Sequence, residues 1–189
     1  MKTNRAPAVA TLTFCAISAA LSILSLTQVP LDPAWRALHS SDAFRSTDFW
    51  LLVLPATLLH SSWQHLALNL VVCLPLGTAV EGRLGPPCYV GFLLVCSVMA
   101  TGLELWSSGR PQIGISGVGY ALLGFLLPNP PAIRSIYWVS SVFILLGWLL
   151  AGVIFSISPA NPPGNVSHFG GLLLGISTGL LFRARSQHS

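Results

Sequence analysis

Long apolar runs, broken by short polar or proline-rich pieces, set the pattern of this chain. They fall at about residues 8–29, 62–80, 88–106, 116–127, 136–157 and 167–182. On the scale of a bilayer core ~30 Å thick, these runs predict six membrane helices. The fourth is too short to cross: about a dozen residues at ~1.5 Å each reach only ~18 Å. It opens as IGISGVGYALLG, with Ser116 between Gly114 and Gly117 in its first turn. The first run follows MKTNR, as a signal peptide would. It exceeds the ~7–15 residues of a signal h-region, so it reads as a retained first helix. Residues 30–59 hold Trp35, Phe44, Phe49, Trp50 and the piece LLVLPATLL. That is too apolar for a free loop, and an interfacial, partly embedded segment is expected. No internal repeat or low-complexity stretch stands out. The expectation is an all-α membrane protein: one domain over residues 1–189, a six-helix bundle with a short central fourth helix.

Composition sharpens this picture. Charged residues make up 7% of the chain and hydrophobic ones 53%, against roughly 25% charged in a soluble domain. The net charge of +4 reflects the scarcity of acids. The basic residues sit at the ends of apolar runs and form no patch, which argues against nucleic-acid binding. Cys15, Cys73, Cys88 and Cys96 show no metal-ligand spacing, and small buried apolar residues are the plainer reading. No metal or cofactor is expected.

Lysine and arginine set the orientation. With six spans, Lys2, Arg5, Arg83, Arg134, Arg183 and Arg185 share one side, against Arg36, Arg45 and Arg110 on the other. Both termini are therefore expected in the cytoplasm. Tyr137 and Trp138 then fall at the inner interface, and Trp63 and Trp106 at the outer one.

Polar residues inside the runs carry the candidate chemistry, because intramembrane polar groups are costly and functional by default. The second span opens with HSSWQHLALN, which contains His60, His65 and Asn69. The fourth opens at Ser116, and the sixth carries His168 in SHFGGLLLG. All three spans enter from the outer side, so their first turns lie at one depth. His65 and Asn69, four apart, share a helix face, as do Ser116 and Tyr120. His168 shares its face with Gly171 and Gly175, and with Gly179 these form a ridge that admits a close neighbour. If that neighbour is the fourth span, His168 comes within reach of Ser116, which is the arrangement of an activated nucleophile. The first-turn amides of the short span would stabilise an oxyanion, with His65 and Asn69 as side-chain donors. None of Asp32, Asp42, Asp48, Glu81 and Glu104 is placed beside the histidine, so a Ser–His dyad is expected, with Tyr120 packed under the imidazole. Taken singly, each piece has a plainer reading: packing for the serine and the glycines, hydrogen bonding for the histidines. His60 lies on a different face from His65 and reads as structural, bridging the loop to the second span.

These segments resemble the rhomboid intramembrane serine proteases. HSSWQHLALN fits their H-x4-H-x3-N, GISGVGYALLG their G-x-S-G with a tyrosine four residues after the serine, and SHFGGLLLG their histidine and glycine ridge. VEGRLG is similar to their E-x-R segment. Order and spacing agree from about residue 50 to 182. The resemblance implies cleavage of a transmembrane protein substrate within the lipid bilayer. It makes Ser116 the nucleophile, His168 the general base, and His65, Asn69 and the Ser116 amide the oxyanion hole. It also implies a structural Glu81–Arg83 pair. Two departures stand out. No arginine follows Trp50 where many members carry a Trp-Arg pair, and Ser167 replaces a common alanine. The proline-rich NPPGN ahead of His168 is a candidate cap, and Trp148 and Phe155 are candidate gate residues. A non-catalytic rhomboid-like protein that binds membrane helices is the alternative. A metal-dependent hydrolase built on His60, His65 and His168 lacks H-E-x-x-H and a nearby carboxylate. A protease specialised for C-terminal membrane-anchor tails is a variant within the same class. A prokaryotic inner membrane, with the site opening outward, is the expected location.

Overall fold

A computed structural model describes residues 8–27, 49–108, 113–130, 136–155 and 165–187. These residues form seven helices and, among themselves, no strand. They are α1 (Val9–Thr27), α2 (Phe49–Leu58), α3 (Trp63–Leu84), α4 (Pro86–Ser108), α5 (Ser116–Leu126), α6 (Ile136–Phe155) and α7 (Asn165–Ser186). Four of them, α1, α3, α4 and α7, are long and apolar enough to cross a membrane. The 20-residue α6 carries no charged residue.

The apolar runs and the helices agree in the interior and differ at the ends. Helices α3 and α7 extend past their apolar runs to Leu84 and Ser186, because a helix continues through Arg83, Arg183 and Arg185 once these reach a polar surface. The apolar piece before His60 forms α2, whose Val53 and Ala56 are buried. Trp35, Phe44, the proline-rich residues 161–164, and the side chains of Phe49, Trp50, Tyr137, Trp138, Trp148 and Phe155 lie outside the described residues. Trp63 is half exposed, and Trp106 is exposed over 84% of its surface.

Helix α5 is the centre of the packing, and all eleven of its residues are buried. Its length and its burial share one cause: it is enclosed by other helices and need not reach either surface. The glycine ridge of α7 packs along it. A Cβ added at Gly171 would strike the carbonyl oxygen of Gly117, and one at Gly175 that of Ala121. At Gly179 it would lie 2.6 Å from the Phe125 oxygen. The contact repeats every four residues on both helices, so the two backbones run in register at a distance only glycine permits. On its other flank α5 meets α3, where Val72 and Cys73 face Gly119.

At the far end of the bundle Glu81 is buried on α3. It accepts hydrogen bonds from the backbone amides of Ala10 (3.0 Å) and Thr11 (2.8 Å) and from the Thr11 hydroxyl (2.7 Å). These are first-turn amides of α1, which no acceptor within the helix can satisfy. Arg83 instead donates to the Ala79 carbonyl. The pair expected from Glu81 and Arg83 is thus replaced by two separate attachments, of which the glutamate's is the one that joins two helices.

Candidate active site

Ser116 is the first residue of α5, after a turn that enters through Gly114 at φ +103°. That backbone conformation favours glycine. Space demands it too, because a Cβ at Gly114 would lie 2.8 Å from Cε1 and 3.0 Å from Nε2 of His65. The His65 ring therefore rests against the chain two residues before the serine.

The His65 ring is set by its own helix start. Ser62 caps α3 in an extended conformation, and its hydroxyl accepts from the His65 amide at 3.2 Å. The Ser61 hydroxyl lies 3.2 Å from His65 Nδ1. One turn on, the buried Asn69 donates from Nδ2 to the His65 carbonyl at 3.0 Å. An asparagine amide carries two donor hydrogens, so this bond leaves one more to give.

His168 stands in the first turn of α7. Its Nε2 lies 2.9 Å from Ser116 Oγ, although 52 residues separate the two. The imidazole stacks on Tyr120, with ring centroids 4.5 Å apart and a 30° tilt. The Tyr120 hydroxyl in turn donates to the Leu145 carbonyl of α6. His168 Nδ1 is buried without a hydrogen-bond partner among the described residues.

His60 is fully buried outside this contact. Its Nδ1 lies 2.9 Å from the Ser22 hydroxyl, and Ser18 and Ser22 both donate to the Leu58 carbonyl. His60 thereby ties α1 to the turn between α2 and α3, and its ring meets His65 edge-on at 4.9 Å. Burial pushes its imidazole down from 6.5 to about 3, and the neighbouring His65 adds to the effect. Among the described residues, no group of three or more His, Cys, Asp or Glu side chains is placed to hold a metal ion.

Ser116, His168, His65 and Tyr120 thus converge where α3, α5 and α7 begin. Gly114 lies against the His65 ring, Gly171 against the carbonyl of Gly117, and Gly175 against that of Ala121. Two groups were not assigned a place from sequence. Ser61 had no signal beyond its nearness to His65. Glu104 did have one: with Ser97 and Thr101 it makes a buried polar face on α4, at spacings of four and three. Its Oε2 accepts from the Ser167 amide at 3.1 Å.

An apolar bundle that buries a serine against a histidine at a helix start, with the ring of a second histidine packed two residues ahead of the serine, has the parts for acyl transfer. A family model described as the Rhomboid domain matches residues 46–185.

Proposed function

The chain belongs to the rhomboid family of intramembrane proteases, and on that premise we propose that it is a serine endopeptidase working through Ser116 and His168. The family acts on transmembrane substrates within the bilayer, and this chain is an integral membrane protein. The observation that carries the proposal is the 2.9 Å contact between Ser116 Oγ and His168 Nε2. Non-catalytic relatives exist, and a serine held in hydrogen-bond reach of an imidazole is what catalysis requires.

The reaction proceeds in two steps. Ser116 Oγ attacks the scissile carbonyl carbon while His168 Nε2 takes the hydroxyl proton. The carbonyl oxygen becomes an oxyanion, which accepts from the Ser116 amide and from His65 and Asn69. The C–N bond breaks, the amine leaves with the proton from His168, and an acyl-Ser116 ester remains. Water, deprotonated by His168, then attacks the ester and restores the serine. A substrate helix hides its carbonyls in its own hydrogen bonds, so helix-weakening residues beside the cleaved bond are part of the reading.

The proposal extends to the topology. With six spans over one domain both termini would share a side, and the lysine and arginine distribution favours the cytoplasm for that side, with the site opening toward the outer face. A prokaryotic inner membrane suits this arrangement.

Labelling of detergent-purified protein with a fluorophosphonate probe tests the chemistry. Wild type is expected to label, and Ser116→Ala and His168→Ala are expected not to. Folded wild type that fails to label, where a known rhomboid protease labels, would turn the reading to a non-catalytic protein that binds membrane helices.

A further inference from the structure

We propose that Glu104 is a positioning residue for His168: from α4 it clamps the first turn of α7 and so sets the imidazole against Ser116. The inference rests on the Ser–His reading above and adds a group to it.

Glu104 is only 6% exposed, near the end of an apolar helix. A buried carboxyl in such a helix is costly unless strong donors meet it. One donor is the backbone amide of Ser167, 3.1 Å from Oε2. Ser167 is fully buried and directly precedes His168. Helix α7 begins at Asn165, so the Ser167 amide is among those with no acceptor inside the helix. Glu104 therefore acts as a cap supplied by a different helix, at the end where the helix dipole favours an acid.

The residue before it acts on the same turn. A Cβ at Gly170 would strike Leu103 Cδ1. Leu103 and Glu104 thus meet α7 at residues 170 and 167, on either side of His168 in the chain. The other wall of that turn is α5, where Gly171 rests on the Gly117 carbonyl. The glycine contact sets how close the helices lie, but such a packing contact is not directional. The hydrogen bond to Glu104 supplies direction, and it fixes the rotation and height of the turn.

Glu81 and Glu104, the two acids among the described residues, each cap the start of a neighbouring helix. Glu81 meets the first turn of α1, and Glu104 that of α7. Only the second cap adjoins a residue of the Ser–His pair. The window for a productive hydrogen bond is narrow. A displacement of ~1 Å at a catalytic group costs on the order of 10²-fold in rate.

The test uses the full chain in detergent, as wild type, Glu104→Gln and Glu104→Ala. Fluorophosphonate labelling rates are measured well below each variant's melting temperature, beside amide hydrogen exchange of the first turn of α7. Glu104→Ala is expected to exchange faster in that turn and to label about 10²-fold more slowly. Glu104→Gln keeps an acceptor oxygen and is expected to recover most of the rate, which a merely destabilised fold would not predict. If the alanine variant does not fold, Glu104→Asp, with the carboxylate drawn back by one carbon, is expected to label more slowly at a near wild-type melting temperature. Equal labelling of wild type and Glu104→Ala, or of wild type and Glu104→Asp where that variant stands in, would overturn the positioning role alone. So would unchanged exchange in α7, or a glutamine variant as slow as alanine. Wild type that does not label would overturn the Ser–His reading, and this role with it.

Discussion

The ring of Tyr120 lies beneath the imidazole of His168, with centroids 4.5 Å apart, and its hydroxyl reaches away to the Leu145 carbonyl on α6. One side chain thus does two separable things: it supports the histidine and it ties α5 to α6. Tyr120→Phe removes the tie and keeps the ring. Tyr120→Leu removes the stacking as well, which is worth about 0.5–1.5 kcal/mol in aromatic pairs. Phenylalanine is therefore expected to keep labelling within about threefold of wild type while lowering the melting temperature, since a buried carbonyl loses its donor. Leucine is expected to slow labelling by a further ~2–10-fold. Equal rates for the two variants would show that the ring does not hold the imidazole.

The glycine ridge makes a sharper forecast. At Gly171 the obstacle to a side chain is the Gly117 carbonyl, which is backbone and cannot swing aside. Gly171→Ala must push α7 off α5 beside the Ser116–His168 contact. Overpacking costs about 1–3 kcal/mol, and labelling is expected to fall on the order of 10²-fold as the pair separates. Gly91→Ala is the control, because a Cβ there meets nothing within 4 Å. Its expected effect is neutral to mildly stabilising, by about 0.5–1 kcal/mol. Thermal melts and labelling rates of the two variants measure the contrast.

What could be read from the sequence, and what could not, follows from these same residues. The approach of His168 to Ser116 and the close contact of Gly171, Gly175 and Gly179 with α5 were legible because helical periodicity fixes the face and an alternating chain direction brings the starts of α3, α5 and α7 to one end. The short central helix was legible from length alone. The partners of Glu81 and Glu104 were not. A lone acid in an apolar run shows that something must satisfy it, but which amide does so depends on how two helices are rotated against each other. The resemblance of VEGRLG to an E-x-R segment implied a Glu81–Arg83 pair, whereas on a helix residues two apart point to different sides. Helix α2 was legible as an apolar piece but not as a helix, since ten residues with an internal proline give no clear period.

Glu81 supplies a prediction of the opposite kind, a stability effect with little functional change. Its carboxylate meets three donors on α1 at 2.7 to 3.0 Å. Glu81→Ala strands the Ala10 and Thr11 amides at a helix start buried against α3. Hydrogen bonds to charged groups are worth about 1.5–3 kcal/mol each, and α1 would relax to recover part of that. The expected result is a melting temperature lowered by several degrees, with early loss of protection in α1. Labelling at low temperature is expected within a fewfold of wild type, because the Ser116–His168 pair lies at the other end of the bundle. Labelling that fell as steeply as it does in Gly171→Ala would show that α1 is coupled to the pair.

His60 predicts how the fold responds to acid. Its imidazole is fully buried against Ser22, and burial holds it neutral down to about pH 3, where an exposed histidine takes up a proton near 6.5. Between those values the unfolded chain binds a proton that the fold refuses, so acid favours unfolding. The stability from neutral His60 is complete above about pH 6.5 and is lost as pH falls toward 3, with a slope of up to ~1.4 kcal/mol per pH unit. Replacing His60 with glutamine removes the titration and keeps a polar group opposite Ser22. The variant is expected to be less stable than wild type at pH 7.5, and the gap is expected to narrow at pH 5. Melts of both proteins across that range measure the gap. A constant difference would mean that the proton taken up on acid unfolding belongs to another histidine.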